Sequence, residues 1–293
     1  MTMTLSMSIK EGPGEMVLRH FRHGAAGVFL CLRQDMYIGR SLELFGEYSE
    51  AEVDVFRAFI RADDVVIDAG ALFGVHTLAL AELCPRGQVL AFEPQRIPFQ
   101  MLCANVAINS QFNVDASKSA LGEGDGISRV RALDPRLVVP WGLTRLESPY
   151  SGEGEKVRVR SVDGMLLDRL DFFKIDVEGF EAQVLRGARE TILRCQPVLY
   201  LEFNENRDAL LALLGQLGYS YVIRHIAPVH RFPNYNMRKV SDALGGDMAA
   251  LPSPSDMLLA VPARRFPELA GLKATDGFYT SQGFRSIPGW AAL

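Results

Sequence analysis

The most informative segment of this 293-residue chain is Val65-Val66-Ile67-Asp68-Ala69-Gly70-Ala71-Leu72-Phe73-Gly74. It is an apolar run that ends in an acidic residue and continues into two glycines separated by three residues. A helix-like pattern follows directly over residues 75–83, before Pro85 and Gly87, and a second apolar run, residues 88–92, ends in the acid Glu93. This layout is typical of a strand, a glycine turn and a helix that hold a nucleoside cofactor, with the second acid at a ribose.

Strand-like and helix-like segments alternate along most of the chain. The apolar runs 65–68, 89–92, 114–121, 172–177 and 198–203 read as strands, and the segments between them show helical spacing. The alternation predicts an α/β fold with a Rossmann-like, doubly wound, mainly parallel sheet. Residues 219–223 and 257–261 are interpreted as two closing strands that could pair as an antiparallel hairpin at the sheet edge.

The domain organisation follows from where this alternation begins and ends. Residues 1–33 are interpreted as an N-terminal extension, residues 34–263 as one domain and residues 264–293 as a C-terminal tail. Residues 122–155 carry several prolines and glycines and are expected to be an irregular insertion or lid. A single helix is expected from residue 180 to about residue 194.

Composition excludes several classes of protein. The N-terminus has no charged start followed by an apolar core, and no apolar run reaches bilayer-spanning length. We therefore expect a cytoplasmic protein with no integral membrane segment. A formal net charge of -4 argues against a nucleic-acid binder. Four scattered cysteines without zinc spacing indicate buried thiols in a reducing compartment.

Two cofactors compete for the glycine turn. A dinucleotide site favours G-x-G-x-x-G, whereas this chain has Asp68-x-Gly70-x-x-x-Gly74. A carboxylate at Asp68 would repel a diphosphate but would suit S-adenosylmethionine, which carries an ammonium and a sulfonium. Glu93 is expected to accept hydrogen bonds from both ribose hydroxyls. A nicotinamide-dependent oxidoreductase on a similar fold and a non-catalytic cofactor-binding domain remain the alternatives.

Several motifs, in order, resemble the FkbM family of S-adenosylmethionine-dependent methyltransferases. They are Asp68 to Leu78, Phe92-Glu93-Pro94, Phe173-Lys174-Ile175-Asp176-Val177-Glu178-Gly179-Phe180-Glu181, Pro197 to Glu202 and Leu258 to Pro262. The resemblance covers about residues 34 to 263 and implies O-methylation of a hydroxyl on a sugar, polyketide or related metabolite. The family often has Asn where this chain has Leu72. The residues expected at the cofactor are Tyr48, Asp68, Gly70, Ala71, Gly74, Glu93, Pro94 and Ser119.

Asp176 is the leading candidate for the base that accepts the hydroxyl proton. It ends a buried strand, so we expect it to be shielded from water. It shares a strand face with Lys174, a candidate ion-pair partner of Asp176 or Glu202. A structural role as a helix cap is the competing interpretation. His225 and His230 lie in a later segment that could cover the acceptor, so either could serve instead.

A metal ion is the last alternative that the sequence raises. Asp176, Glu202 and Asn204 follow what are expected to be neighbouring strands, and their oxygens would suit Mg²⁺. The spacing is only suggestive, and we predict no metal. The expected partner is a small-molecule or glycan acceptor, and a homodimer is compatible with the sequence.

Overall fold

The computed structural model describes residues 7–8, 16–23, 25–33, 35–137, 141–147, 154–203, 207–239, 254–272 and 278–279. The strands in these ranges are β1 (Met7–Ser8), β2 (Met16–His23), β3 (Ala25–Leu32), β4 (Val65–Ala69), β5 (Gln88–Phe92), β6 (Val114–Ser117), β7 (Ser119–Leu121), β8 (Gly126–Val130), β9 (Leu146–Glu147), β10 (Glu155–Arg160), β11 (Phe172–Ile175), β12 (Val198–Glu202), β13 (Val222–Ala227), β14 (Ser255–Ala260) and β15 (Phe278–Tyr279). The α-helices are α1 (Ile38–Phe45), α2 (Glu50–Phe59), α3 (Val75–Leu83), α4 (Arg96–Ile108), α5 (Glu181–Gly187), α6 (Arg189–Cys195) and α7 (Arg207–Gln216).

The central sheet contains eight of these strands in the order β15-β13-β14-β12-β11-β4-β5-β6. All neighbours from β12 to β6 are parallel, whereas β14 is antiparallel to both β12 and β13. The predicted α/β fold with a mainly parallel sheet is therefore confirmed. The chain winds outward in both directions from the β4–β11 pair, and ligands bind at such a switch point, beyond the carboxyl ends of the strands.

Helices cover both faces of this sheet. Along β4 and β11, Val66 and Phe172 belong to a core that also contains Phe56 of α2 and Leu80 of α3. Their neighbours in the sequence, such as Ile67, point to the other face and pack with residues of α5, α6 and α7. Successive strand residues alternate between faces, so both faces are buried and the sheet is doubly wound, as predicted.

Two predicted elements are divided in the structure. The expected strand over residues 114–121 becomes β6 in the central sheet and β7 in a second sheet of order β7-β10-β8-β9. The expected helix over residues 180–194 becomes α5 and α6, which meet at Ala188. A Cβ at Gly187 would lie 1.9 Å from the carbonyl oxygen of Gly122, so the turn after β7 packs tightly against the end of α5.

The closing strands are found, but their position differs from the expectation. β13 and β14 pair antiparallel with Ile223 opposite Leu259, as predicted. However, β14 is inserted between β12 and β13, and the short strand β15 forms the edge. The order of strands depends on long-range pairing, which the local pattern does not contain.

The segments outside the main alternation are more regular than expected. β2 and β3 form a hairpin that contacts α4: the backbone N–H of Leu30 donates to Asn105 Oδ1 at 2.6 Å, and Asn105 Nδ2 donates to the Leu30 carbonyl at 3.0 Å. Residues 122–155 contribute β8 and β9. In the expected tail, Glu268 accepts a hydrogen bond from Arg61 at 2.5 Å. None of the described helices combines the length and apolar character needed to cross a bilayer.

Candidate active site

A cavity of about 450 Å³ opens at the carboxyl ends of β4, β5, β11 and β12. Its volume lies in the range of roughly 300–1,000 Å³ that is usual for small-molecule sites. The predicted cofactor and catalytic residues that line it are Tyr48, Gly70, Ala71, Glu93, Pro94 and Asp176. Those that lie outside its lining are Asp68, Gly74, Ser119, His225 and His230.

Asp68, which the sequence placed at the cofactor, lies outside the lining of the cavity. Its side chain is 0% exposed and accepts a hydrogen bond from Thr77 Oγ1 at 2.6 Å. Lys174 Nζ lies 3.3 Å from Asp68 Oδ1, because the parallel register of β4 and β11 places these two residues side by side. The protein itself thus compensates the charge of this carboxylate.

Gly70 begins the turn that forms one wall of the cavity. Its φ of +81° lies in the left-handed region, and a Cβ there would lie 1.8 Å from the carbonyl oxygen of Asp176. The backbone N–H groups of Gly70 and Ala71 both donate to the Phe92 carbonyl at 3.0 Å. Glycine is therefore required here to bring the ends of β4, β5 and β11 together.

Glu93 is buried at the end of β5, where its two oxygens fix two loops. Oε2 accepts the backbone N–H of Leu72 at 2.9 Å, and Oε1 accepts that of Gln95 at 2.7 Å. Burial raises the pKa of the Glu93 carboxyl to about 7, although these hydrogen bonds lower it. A carboxylate oxygen can accept more than one hydrogen bond, so Glu93 keeps acceptor capacity for a ribose.

Leu72, the departure from the family pattern, has a φ of +48°. This left-handed conformation favours Gly, Asn or Asp, which explains why Asn is common at the position. The backbone N–H of Leu72 still reaches Glu93, so the loop geometry does not depend on an amide side chain.

Gln95 is a cavity residue that the sequence reasoning missed. Its side-chain Nε2 donates to the Trp141 carbonyl at 3.3 Å, while its buried Oε1 has no hydrogen-bond partner among the described residues. Gly142 and Thr144, from the segment expected to be a lid, line the same part of the cavity. An unpartnered buried oxygen there favours a ligand that donates a hydrogen bond.

Asp176 follows β11 directly and lines the cavity, but it is less buried than expected. Its side chain is 34% exposed, and its Oδ2 accepts a hydrogen bond from Lys174 Nζ at 3.2 Å. The predicted Lys174–Asp176 ion pair is thus present. Burial lowers the pKa of the Lys174 ammonium, but the carboxylates of Asp176, Asp68 and Glu52 outweigh that effect and raise it. Lys174 therefore stays charged at the cavity floor.

Glu52 is a second acidic residue on the cavity, and it comes from α2. It is 2% exposed, and its Oε1 accepts the Ser49 hydroxyl at 2.6 Å. The Ser255 and Tyr200 hydroxyls also interact with this carboxylate. Burial and the nearby Asp176 carboxylate raise the pKa of Glu52 to about 7, despite the opposing effect of Ser49 and Lys174. The motif Ser49-x-x-Glu52 predicts the first turn of a helix from the sequence. That this turn lines a cavity follows only from the tertiary structure.

One family of known proteins matches this chain over the residues that build the cavity. The model of the Methyltransferase FkbM domain matches residues 68–221, which is more than half of the chain. The chain belongs to the FkbM methyltransferase family. This membership favours S-adenosylmethionine over the dinucleotide cofactor that the sequence left as an alternative.

Relatives of this FkbM domain come from fungi and bacteria. Methyltransferase sdnD of Sordaria araneosa is 26% identical over 197 residues, which cover 55% of this chain and 76% of that protein. The AMB antimetabolite synthetase AmbE of Pseudomonas aeruginosa is 26% identical over 253 residues; the alignment covers 69% of this chain but spans only 12% of the synthetase. The structure of a methyltransferase FkbM from Methylobacillus flagellatus KT has 19% identity and a TM-score of 0.42, covering 68% of this chain and 44% of that one.

Neither histidine predicted as a base in this FkbM domain reaches the cavity. His225 is buried on β13, where its Nδ1 shares a hydrogen bond of 2.8 Å with the Tyr200 hydroxyl. His230 stacks on Phe45 with ring centroids 4.2 Å apart, and burial lowers its pKa to about 4. His76, by contrast, lines the cavity beside Tyr48.

Gly74 and Ser119 also have roles away from the cavity. Gly74 has a φ of +92° at the start of α3, and a Cβ there would lie 2.6 Å from Leu102 Cδ1. Ser119 is buried at the start of β7, 3.1 Å from the hydroxyl of Ser117, while Ala120 and Leu121 after it line the cavity. The structure therefore places neither predicted cofactor residue on the cavity lining.

Three carboxylates meet at the edge of the cavity. Single oxygens of Asp176, Glu178 and Glu202 all lie within 4.8 Å of one another. The set differs from the one considered in the sequence, because Glu178 joins Asp176 and Glu202, and Asn204 lies outside the described residues. Glu178 has a φ of +53°, in a turn that the pattern Asp176-Val177-Glu178-Gly179 does not reveal.

Proposed function

We propose that the protein transfers a methyl group from S-adenosylmethionine to a hydroxyl of a small-molecule or glycan acceptor. One observation carries the proposal: Glu93 at the end of β5 and Asp176 after β11 line a single cavity. The first would hold a cofactor ribose, and the second would meet an acceptor. Membership of the FkbM family supports the same reaction class.

The residues present fit the cofactor. Glu93 would accept the ribose hydroxyls, since its oxygens retain acceptor capacity beside the bonds from Leu72 and Gln95. The unpartnered Oε1 of Gln95 would accept the adenine amino group, with Pro94 beside it on the cavity. The turn at Gly70 and the Tyr48 side chain would enclose the methionine end.

The chain's own contribution would be alignment, charge and a proton acceptor. When bound, S-adenosylmethionine supplies a methyl group on a cationic sulfur. An oxygen nucleophile can attack the methyl carbon and displace the sulfur. Asp176 would contact the acceptor hydroxyl and accept its proton, and Lys174 holds that carboxylate in place. Alignment of the acceptor in a cavity that excludes water would lower the barrier further.

The charge of the cavity favours a small molecule over a nucleic acid. Its lining includes the carboxyl groups of Glu52, Asp176, Glu178 and Glu202 but, within the described part of the chain, a single lysine and no arginine. A phosphate backbone binds through Lys and Arg, and it would be repelled here. A cytoplasmic location and a homodimer remain expectations from the sequence.

Transfer of a radiolabelled methyl group tests this function. The purified protein would be incubated with labelled S-adenosylmethionine and separate small-molecule, polysaccharide and nucleic-acid fractions of a cell extract. We expect label in a small-molecule or polysaccharide fraction, and at least about 100-fold less with Asp176→Asn, since a general base contributes roughly 10²–10⁴-fold.

Glu123→Gln is the matched control, because Glu123 is exposed and lies outside the cavity lining. Label in no fraction would contradict an enzymatic function. Label confined to the nucleic-acid fraction would contradict the proposed acceptor, and undiminished transfer by Asp176→Asn would remove its role as base.

A further inference from the structure

Three basic residues, Lys156, Arg158 and Arg160, form a row on β10 that we call the basic row. They alternate with Val157 and Val159, and successive strand residues point to opposite faces of a sheet. Val157 is buried, whereas Lys156 and Arg158 are exposed and Arg160 is half-buried. The three cations therefore share the outer face of the second sheet, about 6.6 Å apart along the strand.

The neighbouring strand β8 widens this outer face. Arg129 lies opposite Lys156, and Ile127, which is 50% exposed, lies opposite Arg158. Arg129 Nη1 also donates to the Gly154 carbonyl at 2.9 Å, which holds that side chain in place. On these two strands the face thus combines four basic residues with one exposed apolar residue.

The acids closest to the basic row in the sequence have other partners. Within the residues that the structure describes, the three cations of the row form no ion pair. The acids of β10 and of the turn after β7 are bonded elsewhere: Glu155 to Lys118 at 2.5 Å, Glu123 to Arg186 at 3.9 Å and Asp125 to the backbone N–H of Ser161 at 2.9 Å. Glu147 is in register with Arg129, but on β9, which lies on the far side of β8 from β10. The charge of the row is therefore available to a partner.

The basic row begins beside the cavity of the candidate active site. β7 and β10 are parallel neighbours with Leu121 opposite Arg160, and Leu121 belongs to the cavity lining. Neighbouring strands lie about 4.8 Å apart, so Arg160 is one strand spacing from the lining. Arg158 and Lys156 continue the row away from Leu121, for about 13 Å along β10.

The basic row and the cavity have opposite charge, and this restricts the ligand that could contact both. The cavity lining is acidic, so a ligand would place its anionic groups on the row and an uncharged unit with a hydroxyl in the cavity. A saccharide chain with carboxylate or sulfate groups on some of its units has this distribution. A nucleic acid does not, because every nucleotide carries a phosphate, and its single strands bind on aromatic side chains. The strand positions named above include none.

We propose that Lys156, Arg158 and Arg160 bind the anionic units of an oligosaccharide acceptor and so select a carboxylated or sulfated glycan over a neutral one. The inference rests on the proposed function, because it names the substrate class of that same site. Guanidinium groups bind carboxylates through paired, charge-assisted hydrogen bonds. Exposed ion pairs are individually weak, so several contacts must act together, which favours a chain over a single sugar.

Titration with defined oligosaccharides tests the basic row without any methyl transfer. Fluorescently labelled polygalacturonate, dextran sulfate and neutral dextran oligosaccharides, and poly(U) RNA, would each be titrated with the full chain and followed by anisotropy. We expect binding of at least one anionic saccharide and none of neutral dextran, with affinity that falls as salt screens the exposed charges. The variant Arg158→Ala/Arg160→Ala should bind about 5-fold or more weakly.

Arg86→Ala/Arg189→Ala is the matched control, because it removes two exposed arginines from other parts of the chain. It should bind as the wild type does, and thermal unfolding establishes that each variant is folded. Equal losses in the two double variants would indicate attraction by overall charge and would overturn the row. Tighter binding of poly(U) than of either anionic saccharide, or no binding of these saccharides, would also overturn it.

Methyl transfer to saccharides separates failure of this inference from failure of the proposed function. The polysaccharide fraction of the extract would be divided on an anion exchanger and incubated with labelled S-adenosylmethionine. We expect label in the retained saccharides, and in Arg158→Ala/Arg160→Ala a KM raised about 5-fold with kcat unchanged, because the row lies outside the cavity. Label confined to neutral or small molecules, with equal KM in both proteins, would overturn the row and keep the methyltransferase. Binding of anionic saccharides by the row without label in any fraction would keep the row and contradict the methyltransferase.

Discussion

The ammonium of Lys174 lies 3.3 Å from the carboxylate of Asp68, and both side chains are buried where β4 and β11 run in parallel. The first acid of the glycine motif is therefore a structural partner of the lysine that supports Asp176. Lys174 thus links this buried carboxylate to Asp176 on the cavity.

Replacing this lysine should destabilise the fold. Lys174→Met leaves Asp68 buried without its cation, so we expect the free energy of unfolding to fall by about 3–5 kcal/mol. Urea denaturation followed by circular dichroism measures it. The double variant Asp68→Asn/Lys174→Met removes both charges and should recover part of the loss. A single variant as stable as the wild type would contradict the ion pair.

Gly70→Ala should also be costly, for a steric reason. The new Cβ would lie 1.8 Å from the Asp176 carbonyl oxygen, at a φ of +81°. Because the three strand ends must move apart to accept it, we expect a loss of about 2 kcal/mol or more in the free energy of unfolding. Gly124→Ala is the control, since nothing lies within 4 Å of a Cβ there. Equal effects of the two changes would show that the turn is not as tight as described.

The hairpin β2–β3 should depend on one side chain of α4. Asn105 is buried and bonds the N–H and carbonyl of Leu30 and the carbonyl of Phe73. Asn105→Leu would leave these backbone groups unsatisfied, at about 1–3 kcal/mol each. Hydrogen exchange should then accelerate first in residues 28–32. Unchanged exchange in that segment would contradict the docking of the hairpin through Asn105.

The local pattern of apolar residues and glycines in the sequence predicted the strand, the turn and the helix around Gly70. The predicted helix over residues 75–83 is α3 with the same bounds. The signals that define it are local: apolar residues at helical spacing, followed within four residues by Pro85 and Gly87. The Lys174–Asp176 pair was also predictable, since residues two apart share one strand face.

Side-chain direction at the site was harder to predict. Whether Asp68 faces the cofactor depends on Lys174, which lies far away in the sequence and reaches it only through strand pairing. Glu52 comes from a helix whose position over the cavity is set by tertiary packing. His225 could have been placed better: it lies two residues from the buried Ile223 and Ala227 and shares their strand face, so strand periodicity already indicates the interior.

The titration of Glu93 should make cofactor affinity depend on pH. Burial raises its pKa to about 7, and the ionised form is the stronger acceptor for ribose hydroxyls. Affinity for S-adenosylhomocysteine should therefore be highest above about pH 8 and fall by roughly 10-fold towards pH 6, as protonation competes with binding. Calorimetry in matched buffers measures this.

Glu52 also has a pKa raised to about 7, so the variant Glu93→Gln separates the two carboxyl groups. It should lose most of the pH dependence. The same slope in the variant and the wild type would assign the titration to another group.

We assign Glu93 to the ribose of S-adenosylmethionine, and calorimetric titration of the Glu93→Ala variant is the decisive measurement. The variant loses charge-assisted hydrogen bonds, so binding of S-adenosylhomocysteine should weaken by about 1.5–3 kcal/mol, while Glu123→Gln should bind as the wild type does. Thermal unfolding would confirm that the variant is folded. Unchanged affinity in a folded Glu93→Ala protein, or no binding by the wild type, would rule out this role of Glu93.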